Sequence, residues 1–258
     1  MLLPCSVAEC YSMAIEAFDV AEQLQTPVFV MTDLDLGMNT WMSDAFPYPD
    51  APINRGKVLD EAKLRQLGAQ WGRYADVDGD GIPYRTVPGD GMPPYFARGS
   101  GHNAKGQYSE RADDYGNNVD RLARKFETAR TVVPQPEIQW NPKAKVGVVA
   151  YGTSHFSVEE SRDQLRDERQ IETSYYRLRA YPFALSLNEF IDRHDRVYVV
   201  EQNRDGQMAA LMRMVMTPER IAKIRPVLQE MTRESVPEHV RRKPARRDPR
   251  FDAELLEA

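Results

Sequence analysis

The first part of the chain alternates apolar and polar positions with the period of a helix. Ser6 and Glu9 have the spacing of a capping box, in which two side chains satisfy free amides at a helix start. Apolar residues then recur at helical spacing as far as Gln25, with acidic residues opposite, so we predict an amphipathic helix over residues 7–25. Residues 28–31 form an unbroken apolar run, which predicts a strand buried on both faces of a parallel sheet.

This first unit, which we place at residues 1–44, contains too few strands for a sheet of its own. Parallel strands pair with neighbours through crossover connections, and one helix with one strand supplies neither. We therefore expect the missing strands to precede Met1 or to come from another chain.

Three βα units follow one another between residues 143 and 216. Apolar runs predict strands at residues 146–151, 171–178 and 196–201. Capping-box spacings at Ser157 and Ser186 predict helices to about residues 167 and 194, and a methionine-rich helix starts near Gln207. Three such units specify an open parallel sheet, with the methionine-rich helix in the core or in a subunit contact.

The loops after these strands form a candidate binding edge. Residues 152–154, 179–183 and 201–207 each follow the carboxyl end of a strand, where open α/β sheets bind ligands. The structural alternative is that Glu201 and Asn203 only order their own turn. No GxGxxG or P-loop spacing occurs, so we infer no dinucleotide or ATP site.

Residues 45–142 form a connector whose first part is rich in glycine, proline and aspartate. Long loops are usually functional or disordered, and the aromatic residues of this one favour order. We predict a short helix at residues 59–67 and a longer one at residues 113–130, followed by a proline-punctuated domain boundary at residues 134–142. The longer helix turns apolar side chains to one face, namely Val119, Leu122, Ala123 and Phe126. Its basic residues are interpreted as a solvated face: Arg121, Arg124, Lys125 and Arg130.

An acidic, glycine-rich motif in the connector resembles the start of a calcium loop. Asp76, Asp78 and Asp80 occupy the first three carboxylate positions, and Gly81 stands where the loop turns sharply. The position that should hold a bidentate glutamate is Val87, and no predicted helices flank the loop. Two interpretations stay open: a divalent-cation site, or a turn whose carboxylates cap neighbouring amides.

The segment RGSGH at residues 98–102 is a second candidate site. Its glycines supply flexible backbone, Arg98 a fixed cation and His102 an imidazole, which together could cradle a carboxylate or a phosphate. The alternative is a solvated or backbone-bonded histidine in an ordinary loop.

Composition and charge narrow the class of protein. The 258 residues include 34 Lys and Arg against 39 Asp and Glu, a net charge of −5, and the mean hydropathy is −0.59. We expect no nucleic-acid binding, which depends on phosphate neutralisation, and no membrane span, which needs roughly 18 apolar residues in a row. Two cysteines, Cys5 and Cys10, are too few for a disulfide framework and suit a reduced, cytoplasmic setting. We assign residues 217–258 as a basic tail, in which periodicity fades after Ile224. The basic run at residues 241–247 predicts disorder, with nucleic-acid contact as the second interpretation.

Several stretches match one known family in combination: SVAECY at 6–11, TPVFVMTDLDLG at 26–37, residues 76–88, RGSGH at 98–102, DRLARKFETA at 120–129 and VVEQNRDGQ at 199–207. Together they resemble the alpha subunit of 2-oxoacid:acceptor (ferredoxin) oxidoreductases. The first two resemble the end of its pyrimidine-binding domain, the next three its later loops and helix, and the last its transketolase-C-terminal-like domain.

The resemblance implies an α/β fold. Residues 1–44 would be the C-terminal end of a thiamine-diphosphate pyrimidine-binding domain, and residues 143–216 a transketolase-C-terminal-like three-layer domain with a parallel sheet. The implied reaction is the coenzyme A-dependent oxidative decarboxylation of a 2-oxoacid, with loops most similar to 2-oxoglutarate-type members.

The resemblance also implies cofactors and partners. Thiamine diphosphate and Mg²⁺ would lie at the interface with a beta subunit, which carries an iron–sulfur cluster, whereas this chain would carry none. Ferredoxin would accept the electrons. Arg98 and His102 become candidates for contacts with the substrate or with coenzyme A.

The chain also departs from the family. No position matches the family's Tyr-Pro-Ile-Thr-Pro-type motif or the glutamate that activates the aminopyrimidine, so catalytic residues cannot be assigned. We expect a C-terminal portion of an alpha subunit, either a truncated reading frame or one piece of a split protein, inactive in isolation. Two alternatives stay open: a non-catalytic assembly module that docks a partner subunit or self-associates through residues 208–214, and a cation-binding module built on residues 76–80.

Overall fold

The fold is given by a computed structural model that describes residues 1–89, 91 and 94–228. The basic run at residues 241–247 lies outside the described residues. The helices are α1 Val7–Leu24, α2 Leu34–Met38, α3 Glu61–Leu67, α4 Ala112–Val132, α5 Ser154–Arg169, α6 Ser186–Asp192, α7 Gln207–Val215 and α8 Pro218–Ile221, with a 3₁₀ turn at Gly68–Gln70. The strands are β1 Glu137–Gln139, β2 Val146–Ala150, β3 Thr173–Arg177, β4 Arg196–Glu201 and β5 Ile224–Leu228.

The sheet has five strands in the order β1-β3-β2-β4-β5. Strands β2 to β5 are parallel, which confirms the open parallel sheet, and Val148 of the central strand lies opposite Tyr175 and Tyr198. Strand β1 is antiparallel to β3 and lies in the stretch predicted as a proline-punctuated boundary. Strand β5 lies in the predicted tail; its Pro226 suits an edge strand, where one amide row needs no partner.

Helices cover both faces of the sheet, so the second half of the chain has three layers. Successive strand residues point to opposite faces. Val149 therefore packs with the larger core under α6 and α7, whereas Val148 packs with Val158 of α5. Met208 and Met212 of α7 are buried in the larger core, which confirms the core interpretation for these two residues, whereas Met214 is 80% exposed.

Helix α1 confirms the first predicted helix almost to the residue. Only one of the two hydrogen bonds of the expected capping box forms. The Ser6 Oγ accepts from the Glu9 amide at 3.2 Å. The Glu9 carboxylate does not return to Ser6; it accepts from the Cys5 amide at 2.9 Å and from Arg177 of β3. Helix α1 is thereby tied to the sheet.

The predicted buried strand at residues 28–31 is wrong. The segment is extended, but among the described residues it forms a single bridge, between Val30 and Leu2, and Phe29 and Met31 are 65% and 50% exposed. The described residues hold no strand on its other side. Leu2 is itself fully buried because it also bridges to Ala180, so residues 1–3 join the first unit to the sheet.

Two predicted capping boxes are also wrong. Helix α5 begins at Ser154, so Ser157 lies inside it, and α6 begins at Ser186 itself, after the cap residue Leu185. Serine at helical spacing before a glutamate is compatible with a first turn as well as with a cap, which explains the error.

Helix α4 was predicted with the wrong face inward. Arg121 and Lys125 are buried, whereas Val119, Leu122 and Phe126 are 45%, 38% and 47% exposed. The reason is the acidic loop at residues 76–82, which covers the basic side of the helix and supplies acceptors to it. The apolar stripe of α4 is left on the surface.

The burial of Lys125 disfavours its charged form. Its Nζ donates to the Gln25 carbonyl at 3.4 Å, and the Gly81 backbone lies against the Lys125 amide. Burial, reinforced by Arg121 and Arg73, lowers the pKa of Lys125 from 10.5 to about 8. The folded protein therefore holds its lysine proton less tightly than the unfolded chain does.

We expect Lys125→Met to flatten the pH dependence of stability. Between about pH 8 and 10.5 the unfolded wild type binds the proton that the folded form has lost, so its stability rises with pH. Methionine removes this slope of up to about 1.4 kcal/mol per pH unit. Urea unfolding at several pH values measures it, with Lys105→Met at an exposed position as the control. An unchanged slope in Lys125→Met contradicts the burial.

Candidate functional site

Two of the three predicted loops meet at the carboxyl edge of the sheet. The Gln202 Nε2 donates to the Thr153 Oγ1 at 2.8 Å, and the Asn203 Nδ2 donates to the Tyr151 hydroxyl at 3.3 Å. They enclose a cleft of about 240 Å³ lined by Asp33, Tyr151, Ser154, Gln202, Asn203 and Gln207. The third loop, at residues 179–183, instead binds the N-terminal residues, since the Tyr181 amide donates to the Met1 carbonyl.

Glu201 is a buried carboxylate at this edge of the sheet. Its carboxylate is fully buried and accepts from the Met208 and Ala209 amides at 2.8 and 3.1 Å, at the start of α7. A carboxylate is stabilised there by the free amides and the positive end of the helix dipole. Burial, and then the Glu201 charge, raise the pKa of Tyr151 to about 12, so this phenol stays protonated. The structural interpretation of Glu201 is confirmed.

Asp33, which sequence reasoning did not select, joins the first unit to the cleft. Its Oδ1 caps α2 through the Leu36 amide at 3.1 Å, and its Oδ2 accepts from the Thr153 amide at 2.7 Å and the Thr153 hydroxyl at 2.8 Å. Gly152 has a φ of +61°, and a Cβ there would lie 2.6 Å from the Asp33 Oδ2. The sequence signal for it was an aspartate two residues after an apolar run, at the spacing from Leu36 that a helix N-cap requires.

The acidic motif binds a lysine. The Lys57 Nζ lies 2.8 Å from Asp78 and 2.7 Å from Asp80, while Asp76 accepts from the Gly81 amide and from Arg124, both at 2.9 Å. Within residues 1–89, 91 and 94–228, no group of three or more His, Cys, Asp or Glu is placed to hold a metal. These contacts favour the capped turn, and the cation site stays a prediction.

Arg98 and His102 lie in one ordered loop around Tyr74. The His102 ring stacks on the Tyr74 ring at 3.8 Å, and the Arg98 amide donates to the Tyr74 hydroxyl at 3.0 Å. The Arg98 Nε donates to the Gly106 carbonyl at 3.0 Å, and the His102 carbonyl accepts from Asn118 at 2.6 Å. Among the described residues, Arg98 has no carboxylate in ion-pair contact. Its guanidinium lies over the Phe96 ring, 5.1 Å from the ring centroid.

No hydrogen bond among the described residues joins Arg98 or His102 to the cleft. The hydrogen bonds that these two residues form there stay within residues 74–118. The two regions are separate candidate sites.

Comparisons with known proteins agree on one family. A family model described as "Pyruvate flavodoxin/ferredoxin oxidoreductase, thiamine diP-bdg" matches residues 1–63. The chain is 30% identical over 212 residues to 2-oxoacid:ferredoxin oxidoreductase 2, subunit alpha, of Aeropyrum pernix, covering 80% of this chain and 32% of that subunit. It is 26% identical over 219 residues to the 2-oxoglutarate synthase subunit KorA of Methanothermobacter thermautotrophicus, covering 80% of this chain and 53% of that subunit.

A solved structure supports the same fold. The 2-oxoglutarate:ferredoxin oxidoreductase from Magnetococcus marinus, with 2-oxoglutarate, coenzyme A and succinyl-CoA bound, matches with a TM-score of 0.71 and 21% identity. The match covers 88% of this chain and 38% of that one. The predicted α/β fold class is confirmed. The chain spans between about a third and a half of the length of the curated relatives described here.

The described residues contain no helix with the length and apolar character that a bilayer-spanning helix requires. Cys5 and Cys10 are both free thiols, and Cys5 is buried. Burial raises the pKa of Cys5 to about 12, despite the opposing effect of Arg177, which favours the protonated thiol at neutral pH.

Proposed function

This chain is related to the alpha subunits of 2-oxoacid:ferredoxin oxidoreductases, and we propose that it forms part of such an enzyme. The proposed reaction is the coenzyme A-dependent oxidative decarboxylation of 2-oxoglutarate, with ferredoxin as acceptor. The observation that carries the proposal is the extent of the similarity, which covers 80% of this chain in the curated relatives. We propose the same division into a pyrimidine-domain end at 1–44, a connector at 45–142 and a transketolase-C-terminal-like domain at 143–216.

Exposed apolar side chains support a partner subunit, which we propose to be the beta subunit. The outward stripe of α4 contains Leu122 and Phe126, and the extended segment after α1 exposes Phe29 and Met31. Apolar side chains spaced along one helix face are typical of an interface. The alternative of a non-catalytic assembly module rests on the same surface. For self-association through residues 208–214, Met214 is the exposed methionine, since Met208 and Met212 are buried in the core.

The match to a thiamine diphosphate-binding family supports that cofactor in the assembled enzyme. The residues described here do not fit its metal, because no group of three or more His, Cys, Asp or Glu among them could hold one. We propose that Mg²⁺ is held by residues other than these and that the iron–sulfur cluster lies in the beta subunit. No chemical step on the cofactor is assigned to this chain.

Arg98 and His102 are the residues we propose to contact the 2-oxoacid or coenzyme A. Both ligands are anionic, and the guanidinium of Arg98 has no carboxylate partner among the described residues. The stacking of His102 on Tyr74 and its contact with Asn118 hold the loop in one conformation. A fixed cation in an ordered loop is suited to a charge-assisted contact.

We expect Arg98→Gln to lower kcat/KM for the 2-oxoacid or for coenzyme A by at least about tenfold, the value of one charge-assisted hydrogen bond. Glutamine keeps a donor for the Gly106 carbonyl and removes the charge. Viologen reduction by the enzyme assembled with its beta subunit measures the effect. His102→Ala is tested in parallel, and Arg65→Gln, in a surface ion pair with Glu61, is the control. Wild-type rates in both loop variants would remove these two roles.

A further inference from the structure

The cleft at the carboxyl edge of the sheet is rich in acceptors. Asp33 contributes a carboxylate, and the Asp35 Oδ2 lies 3.2 Å from the Thr153 hydroxyl that donates to Asp33. The buried Glu201 carboxylate lies 3.4 Å from the hydroxyl of the lining residue Tyr151. The Gln202 Nε2 donates to the Thr153 hydroxyl. The side-chain carbonyl oxygen of Gln202 is an acceptor. None of the six residues lining the cleft is a lysine, arginine or histidine. Arg204, nearby in sequence, is exposed and pairs with Asp205 at 2.7 Å.

Ser154 supplies a second and independent observation. It is 3% exposed and lines both this cleft and a larger one beside α5, yet its Oγ has no hydrogen-bond partner among the described residues. A buried hydroxyl without a partner costs about 1–3 kcal/mol, so such groups are normally satisfied. An unused hydroxyl on the wall of a polar cleft indicates a ligand that completes it.

The position of the cleft is also that of a ligand site. It lies between the loops after β2 and β4, and α5 and α7 start from these loops on opposite faces of the sheet. Open α/β sheets bind ligands where successive connections diverge in this way. An anion would meet the Asp33 and Asp35 carboxylates without a compensating cation among the lining residues.

We propose that this cleft binds a small organic cation carrying an ammonium or guanidinium group. The ligand would donate to Asp33 and to the Gln202 carbonyl oxygen, and the Ser154 hydroxyl would accept from it. A volume of about 240 Å³ admits such a group with a short carbon chain. This site is separate from the loop proposed for the 2-oxoacid or coenzyme A, and it does not depend on the oxidoreductase assignment.

Nuclear magnetic resonance of the ¹⁵N-labelled full chain tests the site. Methylammonium and guanidinium chloride are titrated at constant ionic strength, with potassium chloride and sodium acetate in parallel. Saturable shifts of the Thr153 and Ser154 amides by either organic cation, with a Kd on the order of 10 mM for so small a probe, are expected. No saturable shift with either cation, or an equal response to potassium, would overturn the proposal.

Variants separate binding from folding. Ser154→Ala should weaken binding about three- to tenfold without lowering the melting temperature, since the hydroxyl has no partner to lose. Gln207→Ala, at an exposed lining position, should also weaken it, whereas Ser157→Ala on the exposed side of α5 should not. Wild-type affinity in both Ser154→Ala and Gln207→Ala would contradict the assignment.

Discussion

Replacing Glu9 by glutamine should lower the free energy of unfolding by about 3 kcal/mol at neutral pH, because it breaks a buried ion pair and leaves one partner behind. The Glu9 carboxylate accepts from Arg177 at 2.7 and 2.9 Å and from the Arg179 Nε at 3.1 Å. Arg177 is 3% exposed. Glu137 also pairs with Arg177, but it is half-exposed and cannot compensate fully. Urea unfolding measures the loss.

The Glu9–Arg177 pair also makes the free energy of unfolding depend on pH in the acidic range. Hydrogen bonds from Arg177 and from the Cys5 amide outweigh burial and lower the pKa of Glu9 from 4.5 to about 2. The folded form therefore holds the carboxylate proton less tightly than the unfolded form does. The stabilisation is complete above about pH 4.5 and is lost as the pH falls towards 2. In that range the free energy of unfolding of Glu9→Gln should depend less on pH than that of the wild type. Glu61→Gln, in a surface pair, is the control, and an equal loss in both variants would contradict the burial of the Glu9 pair.

Gly81→Ala should lower the free energy of unfolding by at least about 3 kcal/mol, because the new methyl group has no room. Its Cβ would lie 2.2 Å from the Lys125 amide nitrogen and 2.6 Å from the Arg121 carbonyl oxygen, both of them helix backbone. Gly81 also has a φ of +79°, which adds strain for any other residue. The acidic loop would have to leave α4, which would expose Arg121 and Lys125.

Gly79 provides a matched control in the same loop. Its φ is also +79°, but a Cβ there meets nothing within 4 Å. Gly79→Ala should therefore cost only the backbone strain, about 1–2 kcal/mol. Equal losses in the two variants would show that the close approach of Gly81 to α4 does not contribute.

The strands of the second half could be predicted because each carries its signal locally. The apolar run of residues 196–201 coincides with β4, and the spacing of the three strands is that of βα units. The α/β class and the meeting of the loops after β2 and β4 follow from that pattern alone. Short segments such as β1, with only Ile138 between two polar residues, give no such signal.

The remaining features depend on contacts between distant parts of the chain. The prediction of which face of α4 is buried was wrong because a loop some 40 residues earlier covers the basic side of the helix, where Arg121 donates to the Gly81 carbonyl. The Asp33–Thr153 contact joins residues 120 positions apart. Asp78 and Asp80, which match a calcium loop in sequence, form ion pairs with Lys57 in the structure. Local spacing carries no information on such partners, and hence none on which of two faces is buried.

Reconstituted activity tests the central proposal most directly. The chain is mixed with its beta subunit and with the additional alpha-subunit sequence that the longer relatives carry, and viologen reduction by 2-oxoglutarate and coenzyme A is followed. We predict a rate that requires this chain together with both other components. The same rate in a mixture that omits this chain would contradict its place in the enzyme.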